Sequence, residues 1–166
     1  MSKIVEDKFK FKLANPIKVQ ANIDGENTFS DLKALYLKAP TYRHRDKTLV
    51  LKKMFIGAIF GMTSSLNQED AQARIDDASD TKDNKIDAKS AKVILYSDRD
   101  FDLDGFYKKF TKLLLSDICF KDEQHEQPIL SVDVNKLSED DFEELVAKYI
   151  EFFFATSWMK TLESFA

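Results

Sequence analysis

The hydrophobic periodicity of this chain changes near Thr41 from two residues to helical spacing, and no other feature restricts the possible folds as strongly. Apolar residues alternate with lysines over residues 8–13, and a second alternating run covers residues 17–23. Such alternation is typical of a strand with one buried and one solvated face. Asp24-Gly25 is a turn signal between strand-forming runs, and residues 32–38 form a third candidate strand. The start of the chain therefore predicts a small antiparallel sheet.

Beyond Thr41 the apolar residues recur at steps of three and four, which predicts a mainly α-helical bundle. Thr41 is a candidate N-cap for the first helix, and an acidic turn begins the last one. The pattern leaves residues 88–96 open between helix and strand, and it predicts a short extended segment within residues 121–136. The predicted helices cover residues 42–62, 104–119 and 139–163.

A polar segment interrupts the helical part. Residues 63–87 are rich in Asp, Ser, Asn and Gln and offer little apolar surface to offset the entropy of ordering them. We expect a loop that contains a short helical piece. As a whole, the sequence predicts an α+β fold in a single domain over residues 1–166, with a β-rich part at 1–41 and a helical part at 42–166.

The composition argues against several classes of protein. With 166 residues and a formal charge of −4, the chain lacks the basic excess of a protein held on nucleic acid by bulk charge. The longest apolar run, residues 54–62, is about half of the ~20 residues that a helix needs to span a bilayer. The first residues contain no apolar core of a secretory signal, and a lone Cys119 allows no internal disulfide. We expect no contact with membranes or nucleic acid and a reducing compartment.

The last predicted helix changes character along its length. Phe142, Leu145, Val146 and Tyr149 form one stripe in its first half, where the acidic residues face water. From residue 149 to residue 159 the helix is apolar all round, and such a helix is enclosed on every side. Two interpretations stay open: the same domain encloses this half, or another copy or another protein covers part of it.

Groups that carry chemistry are few. His44 and His125 lie in strongly polar runs that we expect to be exposed, and neither stands at metal-ligand spacing from the other or from Cys119. Cys119 falls at the apolar end of a predicted helix, where a free cysteine usually acts as a small hydrophobic residue. The sequence holds no Gly-rich phosphate loop, no G-x-S-x-G and no H-E-x-x-H. We predict no catalytic residue, no cofactor and no metal, and hence a protein that is not an enzyme.

One short motif resembles a calcium site. Asp100, Asp102 and Asp104 with Gly105 match the first six positions of a calcium loop, D-x-D-x-D-G. The twelfth position would be Thr111, where such a loop requires a bidentate Glu. The sequence favours the other interpretation, in which the carboxylates approach the positive end of a helix.

Charge is unevenly distributed along the chain. Residues 1–62 hold 12 basic and 6 acidic side chains, whereas residues 63–166 hold 13 basic and 23 acidic ones. A basic and an acidic half can attract one another within the fold or between copies. The alternative is that the lysines of the first strands only protect the solvated face and the edges of the sheet. These lysines are Lys8, Lys10, Lys12 and Lys18.

Several short motifs follow one another in a recognisable order. An L-x-x-P-I motif covers residues 13–17, a D-G turn follows, and L-x-L-K-x-P-T covers residues 35–41 before a helix. An acidic Leu-Ser-Glu-Asp-Asp cap at 137–141 opens a last helix that carries three consecutive phenylalanines. This order resembles the tail assembly chaperones of tailed bacteriophages. The resemblance is one of pattern and covers residues 9–62 and 137–155.

The resemblance implies a non-enzymatic protein that binds the hydrophobic tape measure protein and keeps it soluble in the bacterial host cytoplasm until tail tube subunits polymerise around it. It also leaves room for self-association and for contact with the tail tube protein. We expect an apolar surface that takes up helices of the partner, or a second copy, with aromatic anchors. The residues predicted to form or support it are Phe152, Phe153, Phe154, Trp158, Met159, Ile56, Ile59 and Phe60.

Two other functions stay open at this point. A structural subunit of a phage tail or baseplate would carry a similar charge split and a similar apolar helix, but it would remain in finished particles. A small calcium-binding or regulatory interaction module is the third possibility, and calorimetric titration with calcium distinguishes it from the other two.

Overall fold

The computed structural model has the predicted α+β fold, in which an antiparallel sheet is followed by helices. It describes residues 8–65, 79–80, 85–97 and 100–154. The chain divides into two compact units. We call Met1–His44 with Thr111–Phe142 the sheet unit, and Arg45–Phe110 with Glu143–Ala166 the helical unit. A single domain over residues 1–166 stays a prediction.

The described elements alternate between the two units along the chain. The strands are β1 Lys8–Ile23, β2 Glu26–Lys38, β3 Ser79–Asp80, β4 Lys85–Ile86 and β5 Cys119–Phe120. The helices are α1 Arg45–Ser65, α2 Ala88–Ser97, α3 Leu103–Leu114, α4 Ser131–Val134 and α5 Glu139–Tyr149. No helix among these residues is both long enough and apolar enough to cross a membrane.

A long antiparallel hairpin forms most of the sheet. β1 and β2 pair from Lys8 opposite Lys38 to Ile23 opposite Glu26. The turn residues Asp24 and Gly25 have φ values of 53° and 83°. Positive φ at both positions matches the right-handed twist of the two strands, and glycine adopts it without strain. The predicted turn is therefore confirmed.

The hairpin contains fewer and longer strands than the sequence predicts. The runs 8–13 and 17–23 are joined in β1, and the predicted strand 32–38 is the second half of β2. The ladder crosses the break through a register shift between Lys12 and Ile17. Pro16 lies in this shift and has no N–H to donate to the ladder, which explains why the pattern stops although the strand continues. The alternate apolar residues of β1 are buried as predicted: Phe11, Leu13, Ile17 and Val19.

The register shift also decides which side of β2 faces the core. Leu35 lies opposite Phe11, and Leu32 lies opposite Ile17. All four side chains are buried. Phe11 and Ile17 are an even number of residues apart, so they lie on the same face of β1. Leu35 and Leu32 are an odd number of residues apart, so in a regular strand they would lie on opposite faces of β2. Because a slip of one residue exchanges the faces of a strand, the shift is what allows both leucines to reach the core.

The carboxylate of Asp141, in the first turn of α5, is hydrogen-bonded to this register shift. Its Oδ1 accepts a hydrogen bond from the N–H of Ala14 at 3.0 Å, and its Oδ2 accepts one from the N–H of Asn15 at 2.9 Å. The Asn15 side chain donates to Ser138 Oγ at 3.1 Å. Asp141 is only 4% exposed. Its charge therefore satisfies backbone N–H groups that the interrupted ladder leaves unpaired.

The third strand of the sheet comes from a region that the sequence assigned to a helix. β5 pairs with β2, with Cys119 opposite Leu37 and Phe120 opposite Tyr36. The predicted helix over 104–119 is therefore wrong at its end, since α3 stops at Leu114. Asp117 has a φ of 61°, a left-handed conformation that an α-helix does not contain. The apolar residues beyond α3 continue into the sheet and not along the helix.

The extended segment predicted within residues 121–136 is confirmed only before residue 130, where Pro128 forms an antiparallel bridge with Phe120 and the Ile129 N–H donates to the Cys119 carbonyl oxygen at 2.9 Å. Beyond it the prediction is wrong, because Ser131–Val134 form the single helical turn α4. Asp133 in this turn is buried, accepts a hydrogen bond from the Leu130 N–H at 3.1 Å and lies 3.5 Å from Lys121 Nζ. The side chains of Leu130 and Val132 are exposed. Their alternation therefore does not mark the buried face of a strand.

Two helices of the helical unit differ from the sequence prediction: α1 begins at Arg45 instead of residue 42, and α2 forms where the sequence left helix or strand open. α1 follows a 3₁₀ turn at residues 42–44, and the Thr41 hydroxyl lies 3.1 Å from His44 Nδ1 instead of capping α1. Residues 88–96, which the pattern left open, form α2. Asp87 caps it, because its Oδ1 accepts the Ser90 N–H at 2.7 Å.

Part of the polar segment 63–87 is described. β3 and β4 form a short antiparallel pair within it, where a loop was predicted. The predicted short helical piece lies outside the described residues. The apolar core of the helical unit comes from α1, α2, α3 and α5, and its buried members include Leu51, Phe55, Ala91, Ile94, Leu95, Phe106, Phe110, Leu145 and Tyr149.

Replacing Asp141 with Ala is expected to lower the free energy of unfolding by about 3 kcal/mol, because two N–H groups lose a charged acceptor. Urea denaturation followed by circular dichroism measures the loss. Asp140→Ala is the matched control, since Asp140 is exposed in the same helical turn and its loss should stay within about 0.5 kcal/mol. Equal losses for the two variants would contradict the role of Asp141.

Candidate functional site

Three of the residues predicted to bind a partner lie directly after helix α5, in Ile150–Phe154: Phe152, Phe153 and Phe154. α5 begins with three acidic residues, Glu139 to Asp141, which complement the positive end of the helix. Leu145, Val146 and Tyr149 are buried. The predicted apolar stripe in the first half of the helix is thereby confirmed for these three residues, whereas its fourth member, Phe142, is only half-buried.

A row of aromatic rings runs from the core of the helical unit to its surface. Phe110 of α3 packs edge-on against Tyr149 with ring centroids 5.4 Å apart, and Tyr149 packs against Phe153 at 4.7 Å. Phe152 follows, with its ring centroid 6.3 Å from that of Phe153. Phe110 and Tyr149 are fully buried, whereas Phe152 is 42% exposed. We call Tyr149, Phe152, Phe153 and Phe110 the aromatic row.

The helix widens where the aromatic row reaches the surface. Residues 150–154 form a π-helical turn directly after α5. Such turns change the direction of the side chains and are frequent at functional sites. Glu151 in this turn accepts a hydrogen bond from the Ala88 N–H at 3.2 Å and lies 3.6 Å from Lys148 Nζ. The turn is thus fixed to the start of α2, while Phe152 remains partly in solvent.

Two acidic residues of α5 that were expected to face water are engaged with neighbouring helices. Glu144 pairs with Lys92, and Glu143 accepts a hydrogen bond from the Tyr96 hydroxyl. That hydroxyl also lies 3.2 Å from the hydroxyl of Tyr107. Burial, together with the hydrogen bonds to Glu143 and Tyr107, raises the pKa of Tyr96, so the phenol stays protonated and can donate. These contacts join α5 to α2 and α3.

The other predicted partner-binding residues have different positions. Ile56 and Ile59 are 4% and 6% exposed in α1, so they belong to the core and do not reach a partner from the surface. The side chains of Phe60 and Phe154 are not among those described, and Trp158 and Met159 lie outside the described residues.

Sequence reasoning did not identify Tyr149 as the support of Phe153. Their spacing of four residues is the signal that could have shown it, because residues at i and i+4 lie on the same side of a helix. Phe110 belongs to a different helix, and its contact with Tyr149 has no local signal in the sequence.

The acidic motif before α3 caps a helix. Asp102 Oδ1 accepts the Gly105 N–H at 2.9 Å, and Asp104 pairs with Lys108 at 2.9 Å. A Cβ at Gly105 would lie 2.2 Å from Asp102 Oδ2, so glycine leaves room for the capping carboxylate. The helix-start interpretation is confirmed. Among the described residues, no group of three or more His, Cys, Asp or Glu side chains is placed to hold a metal ion.

His44 is buried, although its polar surroundings in the sequence predicted exposure. Its Nδ1 accepts a hydrogen bond from the Thr41 N–H at 3.0 Å. Its Nε2 lies 2.6 Å from the carbonyl oxygen of Ser116, to which it donates. Both ring nitrogens are therefore used in holding the 3₁₀ turn to the chain after α3, which is a structural role.

His125 is half-buried beside two aromatic rings, where exposure was predicted. Its ring centroid lies 6.3 Å from that of Tyr36 and 5.3 Å from that of Phe120. Its Nε2 is buried and has no hydrogen-bond partner in the described part of the chain. Burial lowers the pKa of His125, and the charges of Lys8 and Lys38 lower it further. Its environment therefore favours the neutral ring.

Cys119 is fully buried in β5, and burial raises the pKa of its thiol. A protonated, inaccessible thiol is a poor nucleophile. The prediction that Cys119 acts as a small hydrophobic residue is confirmed, although it lies on a strand and not at a helix end.

Comparison with protein-family models, with curated proteins and with solved structures gave no match to this chain. The function is therefore argued from the chain's own residues and contacts. The aromatic row is the candidate functional site, since it joins buried and exposed aromatic rings at a widened helical turn.

Replacing Asp102 with Ala is expected to lower the free energy of unfolding by about 1 kcal/mol, because α3 loses its capping carboxylate. Asp102→Ser keeps a capping oxygen and should recover most of this loss. Thermal or urea denaturation with and without calcium measures both effects. A calcium-dependent difference between wild type and Asp102→Ala would restore the calcium-binding interpretation.

Replacing His125 with Asn is expected to reduce the loss of stability on acidification. Because the pKa of His125 is lowered in the folded chain, the unfolded chain binds more protons as the pH falls through about 6.5. The contribution of the neutral ring is therefore complete above that pH and declines below it. Asn tolerates the φ of 58° at this position. Urea denaturation at pH 8, 7, 6 and 5 measures the difference, and parallel curves for both proteins would contradict it.

Proposed function

We propose that this chain is a non-enzymatic tail assembly chaperone of a tailed bacteriophage. It binds the tape measure protein through the aromatic row and keeps it soluble in the host cytoplasm until the tail tube forms. The observation that carries the proposal is the partly exposed Phe152 beside Phe153, at a π-helical turn fixed to α2. An aromatic ring that is held at the surface by neighbouring aromatic rings is a typical anchor for an apolar partner.

Two of the motifs behind the family resemblance contact each other, which supports the proposal. Asn15 of the L-x-x-P-I motif donates to Ser138 of the acidic cap, and Asp141 of that cap accepts from Ala14 and Asn15. The motifs are therefore parts of one structural arrangement and not two independent coincidences of sequence. They serve the fold, so they support membership of the family without identifying the binding residues.

The geometry favours a helical segment of the partner. Phe152 and Phe153 lie on a helical element, and an amphipathic helix places apolar side chains three and four residues apart along one face. Burying one exposed phenylalanine contributes about 1.5–3 kcal/mol. Ile56 and Ile59 are buried in α1, which packs against α2, and the start of α2 donates a hydrogen bond to Glu151 beside Phe152.

The chemistry of the described residues supports a role without catalysis. His44 has both ring nitrogens engaged, and Cys119 is buried as a thiol. Asp102 and Asp104 serve the start of α3. Among the described residues these groups are thus occupied or inaccessible, whereas His125 keeps one ring nitrogen, Nε2, without a hydrogen-bond partner.

Replacing Phe152 with Ser is expected to reduce the affinity for the tape measure protein about tenfold or more, because the partner loses an aromatic anchor. The candidate partner is a large, helical, coiled-coil-rich protein encoded immediately downstream. Co-expression followed by centrifugation measures the soluble fraction of that protein, and light scattering of the purified complex shows whether it is monodisperse.

Phe29→Ser is the matched control, since Phe29 is the same residue type, 69% exposed, and lies in the sheet unit. It should leave the soluble fraction unchanged, and thermal denaturation of both variants alone confirms that they fold. If the tape measure protein is equally soluble and monodisperse without this chain, the proposal fails. If the chain is found in purified phage particles, it is a structural subunit of the tail or baseplate.

A further inference from the structure

Three lysines on one face of β1 have no acidic side chain opposite them in the sheet. Lys8, Lys10 and Lys12 alternate with apolar residues and are exposed. None of them forms an ion pair with another described residue. The residues opposite them on β2 are, in the same order, Lys38, Tyr36 and Ala34.

The unbalanced charge is a local property of this end of the hairpin. Lys18, further along β1, lies opposite Asp31, so a basic and an acidic side chain meet there. Lys8 and Lys38 are directly opposite, an arrangement of like charges that destabilises a strand pair. The hairpin therefore contains a pair of like charges at Lys8 and Lys38, whereas Lys18 is opposite a residue of opposite charge.

Aromatic rings position part of this charge. Lys10 Nζ lies 5.9 Å from the centroid of the Tyr36 ring, and Lys38 Nζ lies 4.8 Å from that of Phe120. A ring face attracts an ammonium group without neutralising it, so the Lys10 ammonium keeps its charge for another ligand. We call Lys8, Lys10 and Lys12 the lysine face.

The spacing of the lysines defines what can bind them. Residues two apart on a strand are separated by about 7 Å and point to the same side. An extended polypeptide places every second side chain on one side with the same separation. We propose that the lysine face binds an extended acidic segment of a partner protein, in which carboxylates on alternate residues pair with Lys8, Lys10 and Lys12.

The surroundings favour a polypeptide over nucleic acid. The whole chain carries a formal charge of −4, and the loop after β5 contains Asp122, Glu123 and Glu126. The carboxylate of Asp122 acts on His125, whose ring lies beside Tyr36, the residue opposite Lys10. A nucleic acid carries a charge at every phosphate and would meet these carboxylates, whereas a short acidic segment need only span three lysines. This surface lies in the sheet unit, and the inference does not depend on the proposed function.

The test uses the full chain and two fluorescently labelled peptides of identical composition. One alternates Asp and Thr over ten residues, and the other has five Asp followed by five Thr. Fluorescence anisotropy at low and physiological salt measures their affinities. The alternating peptide is expected to bind several-fold more tightly than the block peptide, and binding should weaken as salt increases. Lys8→Gln, Lys10→Gln and Lys12→Gln together should weaken it about tenfold.

A second triple variant controls for total charge. Lys47, Lys53 and Lys109 are exposed residues of the helical unit, and changing all three to Gln removes the same charge. This control should bind the alternating peptide within about twofold of wild type, and circular dichroism confirms that both triple variants fold.

Four results would overturn the proposal. The first is an equal loss of peptide affinity in the two triple variants, and the second is an equal affinity of wild type for the two peptides. The third is the absence of saturable binding of either peptide to wild type. The fourth is displacement of the labelled peptide by duplex DNA at a lower concentration than by unlabelled peptide. Self-association of the Lys8, Lys10 and Lys12 variant, with peptide affinity unchanged, would assign these lysines to protection of the strand edge instead.

Discussion

The pair of hydrogen bonds from Ala14 and Asn15 to Asp141 is the interaction on which the sheet unit depends most. A break in a β-ladder leaves backbone N–H groups that must find another acceptor, and a buried carboxylate supplies two oxygens at once. The break in turn lets Leu35 and Leu32, an odd number of residues apart, both reach the core. The hydrogen bonds of Asp141 therefore fix the start of α5 against the hairpin at the register shift.

The same region explains the uneven distribution of charge along the sequence. Residues 1–44 hold 8 basic and 5 acidic side chains, and residues 111–142 hold 3 basic and 8 acidic ones. The sheet unit combines these two segments, and Arg43 of the first forms an ion pair with Asp117 of the second. The contacts of the sheet unit contribute unequally to its stability. Arg43 and Asp117 form an exposed ion pair at 2.9 Å, which contributes little. Asp141 contributes more, because it accepts two hydrogen bonds while it is almost fully buried.

The two proposed binding surfaces use different physical forces. The aromatic row offers apolar area on a rigid support, which suits a hydrophobic helix. The lysine face offers separated charges on a strand, which suits an extended acidic segment and responds to salt. A protein that handles a long apolar partner needs the first property, and the second would give it an independent means of recognition.

Local patterns in the sequence were enough to determine the hairpin turn at Asp24-Gly25, the buried face of β1 and the apolar stripe of α5. Each depends on residues a few positions apart, where periodicity and turn chemistry act directly. The end of α3, the strand β5 and the turn α4 were predicted wrongly, because Cys119 pairs with Leu37 and Asp133 pairs with Lys121.

Only the tertiary structure decided these features, together with the burial of His44 and the contact of Phe110 with Tyr149. Asp141 shows the reason most clearly, since its partners Ala14 and Asn15 lie more than a hundred residues earlier in the chain. A carboxylate in the first turn of a helix has a local role in any sequence, near the positive end of the helix. Its second role, as acceptor for a broken strand ladder, exists only once the folded chain brings the two segments together.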